Sequence, residues 1–183
     1  MNSNRKPVEC DYVVIGGGIV GGCIAYYLSR NNKEVICIDS GEFSGSNSNA
    51  GSIHVQLQSR NFRLNPHLID NLLENLPFYK EAVNAWDRLR LMLNVDLDLR
   101  INGGLMVADN EEQMEFLYKK CQEEKAAGLD VEIIESNRIK KTYPFLSNKV
   151  VGAEFCAHEG KLNPLVANKS LQEVSLRSGV KIM

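Results

Sequence analysis

Short, continuously apolar runs alternate along this chain with amphipathic ones. Residues 11–15 (DYVVI) are an apolar run that stops at Gly16-Gly17-Gly18, the pattern of a buried parallel strand. From Ile19 to Arg30 the apolar positions Ile19, Val20, Cys23, Ile24, Tyr27 and Leu28 recur at helical spacing, and Asn31-Asn32 closes the segment. Residues 34–39 (EVICID) read as a second buried strand. The first 39 residues therefore predict strand, helix, strand, the right-handed crossover unit of a parallel sheet.

Residues 40–52 (SGEFSGSNSNAGS) are nearly all Gly, Ser and Asn, a loop composition. From Pro66 to about Leu93 the positions Leu68, Leu72, Leu73, Leu76, Val83, Trp86 and Leu89 mark one apolar helical face, read as core, and Pro77 should kink or split that helix. In residues 97–109 (LDLRINGGLMVAD), Asn102-Gly103 between two short apolar runs predicts a β-hairpin. Asp109 and Glu112 have the spacing of a capping box for a helix through Gly128, on which Glu111, Glu112, Lys119 and Lys120 read as a solvated face. Strands are predicted near 130–134 and 150–156, and a short helix from Asn137 to Thr142, stopped at Tyr143-Pro144. Asn163-Pro164 opens an amphipathic helix to Ser178, Gly179 ends it, and VKIM begins a further strand.

Composition narrows the class without naming a function. Hydrophobic residues make up 44% and charged residues 24% of the 183, so the chain is globular rather than disordered or fibrous. With 21 Lys+Arg against 23 Asp+Glu, the net charge of -2 offers no global attraction for nucleic acid. The apolar run from Val13 to Leu28 contains five glycines and is shorter than the roughly 20 residues of a membrane span, so it reads as buried core rather than as a span or an export signal. Five cysteines (Cys10, Cys23, Cys37, Cys121, Cys156) with no CxxC pair argue against a disulfide framework and a zinc site. They fit a reducing cytoplasm; a location peripheral to the inner face of the membrane is the alternative.

The chemistry-bearing signal is Gly16, Gly18 and Gly21 in GxGxxG spacing, between a predicted strand and a predicted helix. In a dinucleotide site these glycines allow a tight turn, close approach of a pyrophosphate and close helix–strand packing, and the helix start holds the diphosphate. Asp39 ends the second strand, where a carboxylate accepts from an adenosine ribose and repels a 2′-phosphate, which disfavours NADP and leaves NAD and FAD. The small, hydroxyl-rich loop from Gly45 to Gly51 suits a more extended cofactor than NAD.

Read together, DYVVIGGGIVGGCIAYYLSR, GSNSNAGSIHVQ, LRINGGLMVAD, VVGAEFC and EGKLNPLVANKSL resemble the N-terminal half of the D-amino-acid oxidase-like flavoproteins, among them glycine oxidase, sarcosine oxidase, D-amino-acid dehydrogenase and the flavin subunits of opine oxidase and hydrogen cyanide synthase. The resemblance implies an α/β fold: a Rossmann-like FAD-binding βαβ unit with a parallel sheet, plus a portion of an inserted antiparallel β substrate domain, truncated. The division it implies is 8–94 for the FAD-binding portion, 95–160 for the partial substrate domain, and 161–183 for a return helix and strand. It implies FAD on Gly16, Gly18, Ile19, Val20, Gly21, Asp39, Ser40, Ser46, Asn49, Ala50, Gly51 and Ser52, with Ser52 to His54 near the flavin ring. The implied reaction is oxidation of the C–N bond of an amine or amino acid. The rivals are an NAD-dependent dehydrogenase and a non-catalytic FAD-binding fragment or subunit that needs a partner chain. The implied partners are a small-molecule substrate and a partner subunit or electron acceptor, with no nucleic acid and no transmembrane segment.

Individual side chains divide between chemistry and structure. His54 is either a ring beside the flavin or a hydrogen-bonded structural histidine, and no partner for it is visible in the sequence. Arg60 and Arg63 are candidates for a substrate carboxylate or simply solvated. His67 and His158 have no metal-ligand spacing around them, and Cys23 and Cys37 read as inert thiols.

Overall fold

A computed structural model describes residues 7–41 and 44–183, so Glu42 and Phe43 of the 40–52 loop lie outside the described residues. In chain order the elements are β1 (Tyr12–Ile15), α1 (Ile19–Ser29), β2 (Val35–Ile38), β3 (Ser52–Ile53), α2 (Ser59–Leu64), α3 (Ile69–Glu74), α4 (Leu76–Leu93), β4 (Arg100–Ile101), β5 (Gly104–Ala108), α5 (Glu111–Ala126), β6 (Val131–Glu135), α6 (Ser136–Thr142), β7 (Gly152–Cys156), β8 (Gly160–Lys161), α7 (Pro164–Arg177) and β9 (Lys181–Ile182). Short 3-10 turns cover Gly45–Asn47 and Pro66–Leu68. No helix among the described residues is long and apolar enough to cross a membrane.

The chain divides into two compact units. The first holds the described residues to Gly51, with Arg90–Leu97 and Asn163–Met183. The second holds Ser52–Leu89 and Asp98–Leu162, so residues 52–89 group with the inserted region rather than with the first 51 residues.

In the first unit, β1, β2 and β9 form a parallel sheet in that order, with Tyr12 beside Val35 and Ile36 beside Lys181. The VKIM tail thus forms a strand as expected, and it is the third of this parallel sheet. Val14, Ala25, Val35, Cys37 and Val180 form the core between sheet and helices. Val13 and Ile15, which alternate with the buried Val14, are 54% and 86% exposed, and Ile38, registered beside Ile15, is 45% exposed. Asn163 caps α7, its Oδ1 accepting from the N–H groups of Leu165 and Val166, with Pro164 in the first turn where no N–H is needed.

The second unit holds two antiparallel sheets, β5-β7-β6 and β3-β8-β4. This corrects the hairpin predicted at Asn102-Gly103. β4 pairs with β8 and β5 with β7, so the strands flanking the turn belong to different sheets. A type I′ turn needs positive φ at both central residues, and only Gly103 (φ 93°) has it. The capping box is displaced by one residue from the prediction: Asn110, not Asp109, caps α5 by accepting from Gln113 N at 2.9 Å, while Gln113 Oε1 takes the N–H of Asp109 at 3.0 Å. The helical stretch from Pro66 is split as Pro77 required, with the break at Asn75 and Pro77 in the first turn of α4. Leu68, read as core, is 40% exposed because it lies in the 3-10 turn before the helical face begins.

Lys120 is the largest departure, since it is buried and not on a solvated face. Alternation along β7 turns Glu154 toward α5, and Lys120 Nζ lies 2.7 Å from Glu154 Oε2 and 2.9 Å from Glu124 Oε2, with all three side chains fully buried. Burial is the main cause that lifts the Glu154 carboxyl from its ordinary 4.5 to about 7, Lys120 opposing and Glu124 reinforcing the rise. Between about 4.5 and about 7 the folded chain holds a proton that the unfolded chain has released, so this group makes stability fall as pH rises through that window. Thermal unfolding followed across it should show the decline in the native chain and a flatter profile in Glu154→Gln; equal slopes would contradict this.

Candidate functional site

The carboxyl ends of β1 and β2 meet at the triple glycine. Gly16 (φ 97°) turns the chain sharply while its N–H stays in the sheet, donating to Ile38 O at 2.8 Å. Asp39 closes the turn from the other strand, accepting from Gly17 N through Oδ2 and from Gly41 N through Oδ1. These backbone donors, Gly17 first, hold its carboxyl below the usual range, so it is anionic. Gly21 is required by packing: a Cβ there would run into the carbonyl oxygen of Gly16 and lie 3.3 Å from Val14 Cγ1.

α1 starts directly above this turn. Ser46, on the 3-10 turn of the small-residue loop, accepts from Ile19 N at 2.9 Å, and a Cβ on Gly18 would lie 2.8 Å from its Oγ. The N–H groups of Gly18, Val20 and Gly21 have no protein acceptor among the described residues. No acidic side chain stands in the first turn, so the positive end of the helix is open to an anion.

Two residues of α7 complete the wall and were not identified in the sequence. Gln172 Nε2 donates to Gly17 O at 2.9 Å, and Asn168 Nδ2 to Asn47 Oδ1 at 3.0 Å. They are four apart, on the stripe that carries Leu171 and Ser175 inward, so a buried amide on an otherwise apolar face was the available signal. The resulting cleft has a volume of about 270 Å³ and is lined by Gly17, Gly18, Asp39, Asn47, Asn168 and Gln172. Two buried oxygens here, Ser44 Oγ and Asn168 Oδ1, have no hydrogen-bond partner among the described residues. A buried polar atom left unpaired costs about 1–3 kcal/mol, and a ligand group in the cleft would relieve it.

The remaining predicted positions divide. Asn49 serves its own loop, donating to the carbonyls of Gly45 and Ser46 and accepting from Gly51 N. Ser40 and Ala50 are exposed, and Gly51 is buried at φ 70°. Ser52 and His54 belong to the second unit. His54 does have a neighbour there: its Nδ1 lies 3.8 Å from Glu159 Oε2. Arg63 stacks on the Phe116 ring at 5.3 Å. Burial pushes the Cys23 and Cys37 thiols upward, which makes both poor nucleophiles.

Comparison with known proteins gives one consistent assignment. Residues 11–183 match the family described as FAD dependent oxidoreductase (DAO). The chain is similar to glycine oxidase from Bacillus subtilis, 25% identical over 175 residues that cover 93% of this chain and 44% of that protein. It is similar to the B subunit of opine oxidase from Rhizobium meliloti, 23% identical over 182 residues that cover 93% of this chain and 46% of that one. Among solved structures, glycine oxidase from Geobacillus kaustophilus superposes with a TM-score of 0.80 at 19% identity, covering 95% of this chain and 46% of that chain. The chain thus spans less than half the length of the relatives it matches.

Proposed function

Because this chain belongs to the FAD dependent oxidoreductase family, we propose that its first unit holds the adenosine and diphosphate moieties of FAD in an enzyme that oxidises the C–N bond of an amine or amino acid. The observation that carries the reading is the turn at Gly16–Gly18 with Asp39 beneath it and the open start of α1 above it. The N–H groups of Gly18, Val20 and Gly21 and the free hydroxyl hydrogen of Ser46 would take phosphate oxygens. Each Asp39 oxygen holds one backbone N–H and keeps a lone pair for a ribose hydroxyl. At about 270 Å³ the cleft falls just short of the about 300–1,000 Å³ of a complete small-molecule pocket, which fits one segment of an extended cofactor. The orphaned Ser44 Oγ and Asn168 Oδ1 offer that segment a pair of additional polar contacts.

In this reading Gly16, Gly18, Ile19, Val20, Gly21, Asp39, Ser40 and Ser46 belong to the adenosine and diphosphate end. Asn49, Ala50, Gly51 and Ser52, and after them His54, are the residues that the family resemblance assigns to the flavin end. FAD held there would supply the two-electron acceptor that oxidation of a C–N bond needs, and the chain's own residues would hold and orient it. Family membership sets the NAD-dependent alternative aside.

The whole reaction needs more polypeptide than this chain. Parallel strands are normally buried on both faces, yet Val13, Ile15 and Ile38 stand in water on one face of β1 and β2. This supports a further chain segment or partner subunit that covers the sheet and completes the substrate pocket, and the similarity to a protein named as a subunit points the same way.

Titration of the purified chain with FAD, followed by flavin fluorescence, tests the cofactor reading. Asp39→Ala should weaken binding about 10- to 100-fold, the value of hydrogen bonds to a charged acceptor. Equal affinity in both proteins, or preferential binding of NADH, would rule the reading out.

A further inference from the structure

The stretch after β3 is buried but irregular: Val55, Gln56 and Leu57 are 1%, 5% and 4% exposed and pair with no strand. Buried backbone N–H groups need acceptors, and here carboxylates supply them. Glu159 Oε1 accepts from Val55 N at 2.8 Å and Gln56 N at 2.9 Å, and Glu124 Oε1 accepts from Leu57 N at 2.6 Å. The other Glu159 oxygen, Oε2, accepts from Gln56 Nε2 at 3.1 Å and lies 3.8 Å from His54 Nδ1. Glu159 is itself fixed: its carbonyl accepts from Gly103 N at 2.9 Å, it directly precedes β8, and its carboxylate occupies the space a Cβ on Gly104 would need.

We propose that Glu159 is a positioning residue. It clamps the backbone at Val55 and Gln56, and its Oε2, 3.8 Å from His54 Nδ1, favours the ring tautomer that carries its hydrogen on Nδ1. Nε2 is left as the acceptor atom of a side chain that is 60% exposed. A ring held this way presents one defined lone pair to a hydrogen-bond donor on a bound molecule, such as a protonated amine. That use rests on the reading above, in which His54 stands at the flavin end; the clamp and the tautomer do not depend on it.

The test uses the full chain with two substitutions. In Glu159→Gln one amide oxygen can still accept from Val55 and Gln56, but the amide N–H₂ now faces Nδ1 and the Gln56 side chain, whose unpartnered Oε1 can turn to accept from it. Nitrogen-15 shifts of the neutral ring should therefore report Nδ1–H in the native protein and Nε2–H in the variant. In Glu159→Ala, amide exchange at Val55 and Gln56 should accelerate about tenfold or more, while Leu57, held by Glu124, keeps its rate. An unchanged tautomer in Glu159→Gln, or unchanged exchange at both amides in Glu159→Ala, overturns the proposal. If the alanine variant does not fold, the tautomer in the near-isosteric glutamine variant still decides. A native chain that fails to bind FAD but shows both effects would remove the functional reading and leave the positioning role standing.

Discussion

Lys120→Met is expected to destabilise the second unit by about 3–5 kcal/mol, the cost of taking one partner away from a buried ion pair. The ammonium sits between two fully buried carboxylates, at 2.9 Å from Glu124 and 2.7 Å from Glu154. Without it both acids face each other in a medium that hydrates neither. Glu154 can escape by keeping its proton, as its raised pKa of about 7 already favours. Glu124 has less freedom, because its Oε1 accepts from Leu57 N. The loss should therefore be largest at alkaline pH and shrink on acidification. Urea unfolding of the single variant, and of one that also carries Glu124→Gln and Glu154→Gln, separates charge from packing. The combined variant should recover most of the stability, and a single variant as stable as the native chain would refute the account.

Gly21→Ala should be nearly as damaging for a different reason. The added methyl meets the Gly16 carbonyl oxygen, which is backbone at the end of β1 and cannot swing aside as a side chain could. The start of α1 must then lift from the strand, at the upper end of the about 1–3 kcal/mol that overpacked cores cost. The displacement falls on the N–H groups that face the cleft. FAD affinity should drop beyond what the loss of stability explains, when measured well below the unfolding temperature. Normal flavin binding together with a normal melting temperature would show that the close approach at Gly21 does not matter.

What could be read in the sequence followed from how local its causes are. The β1–α1–β2 unit and its glycines were legible because buried parallel strands are continuous apolar runs and the turn chemistry lies within six residues, Gly16 to Gly21. The hairpin at Asn102-Gly103 was misread because its partners are remote: β5 pairs with β7, and β4 with the two-residue β8, which is too short for any periodicity. Lys120 reads as part of a solvated face, and its i, i+4 spacing from Glu124 does not by itself say otherwise. Only the third member, Glu154 on a strand 34 residues away, turns the pair into a buried network. Asn168 and Gln172 were hidden by the opposite effect, polar side chains on a stripe whose apolar neighbours set its character.

The strand order of the first unit also fixes a timetable. β9 pairs with β2 through Ile36 and Lys181, so the ribosome delivers every strand of the second unit before the last strand of the first. Until then β2 presents a bare parallel edge, and closing it must draw together segments separated by most of the chain. Contacts of such sequence separation form slowly. The glycine turn that defines the site is thus among the first structures synthesised, while the α7 side chains that complete its wall arrive among the last.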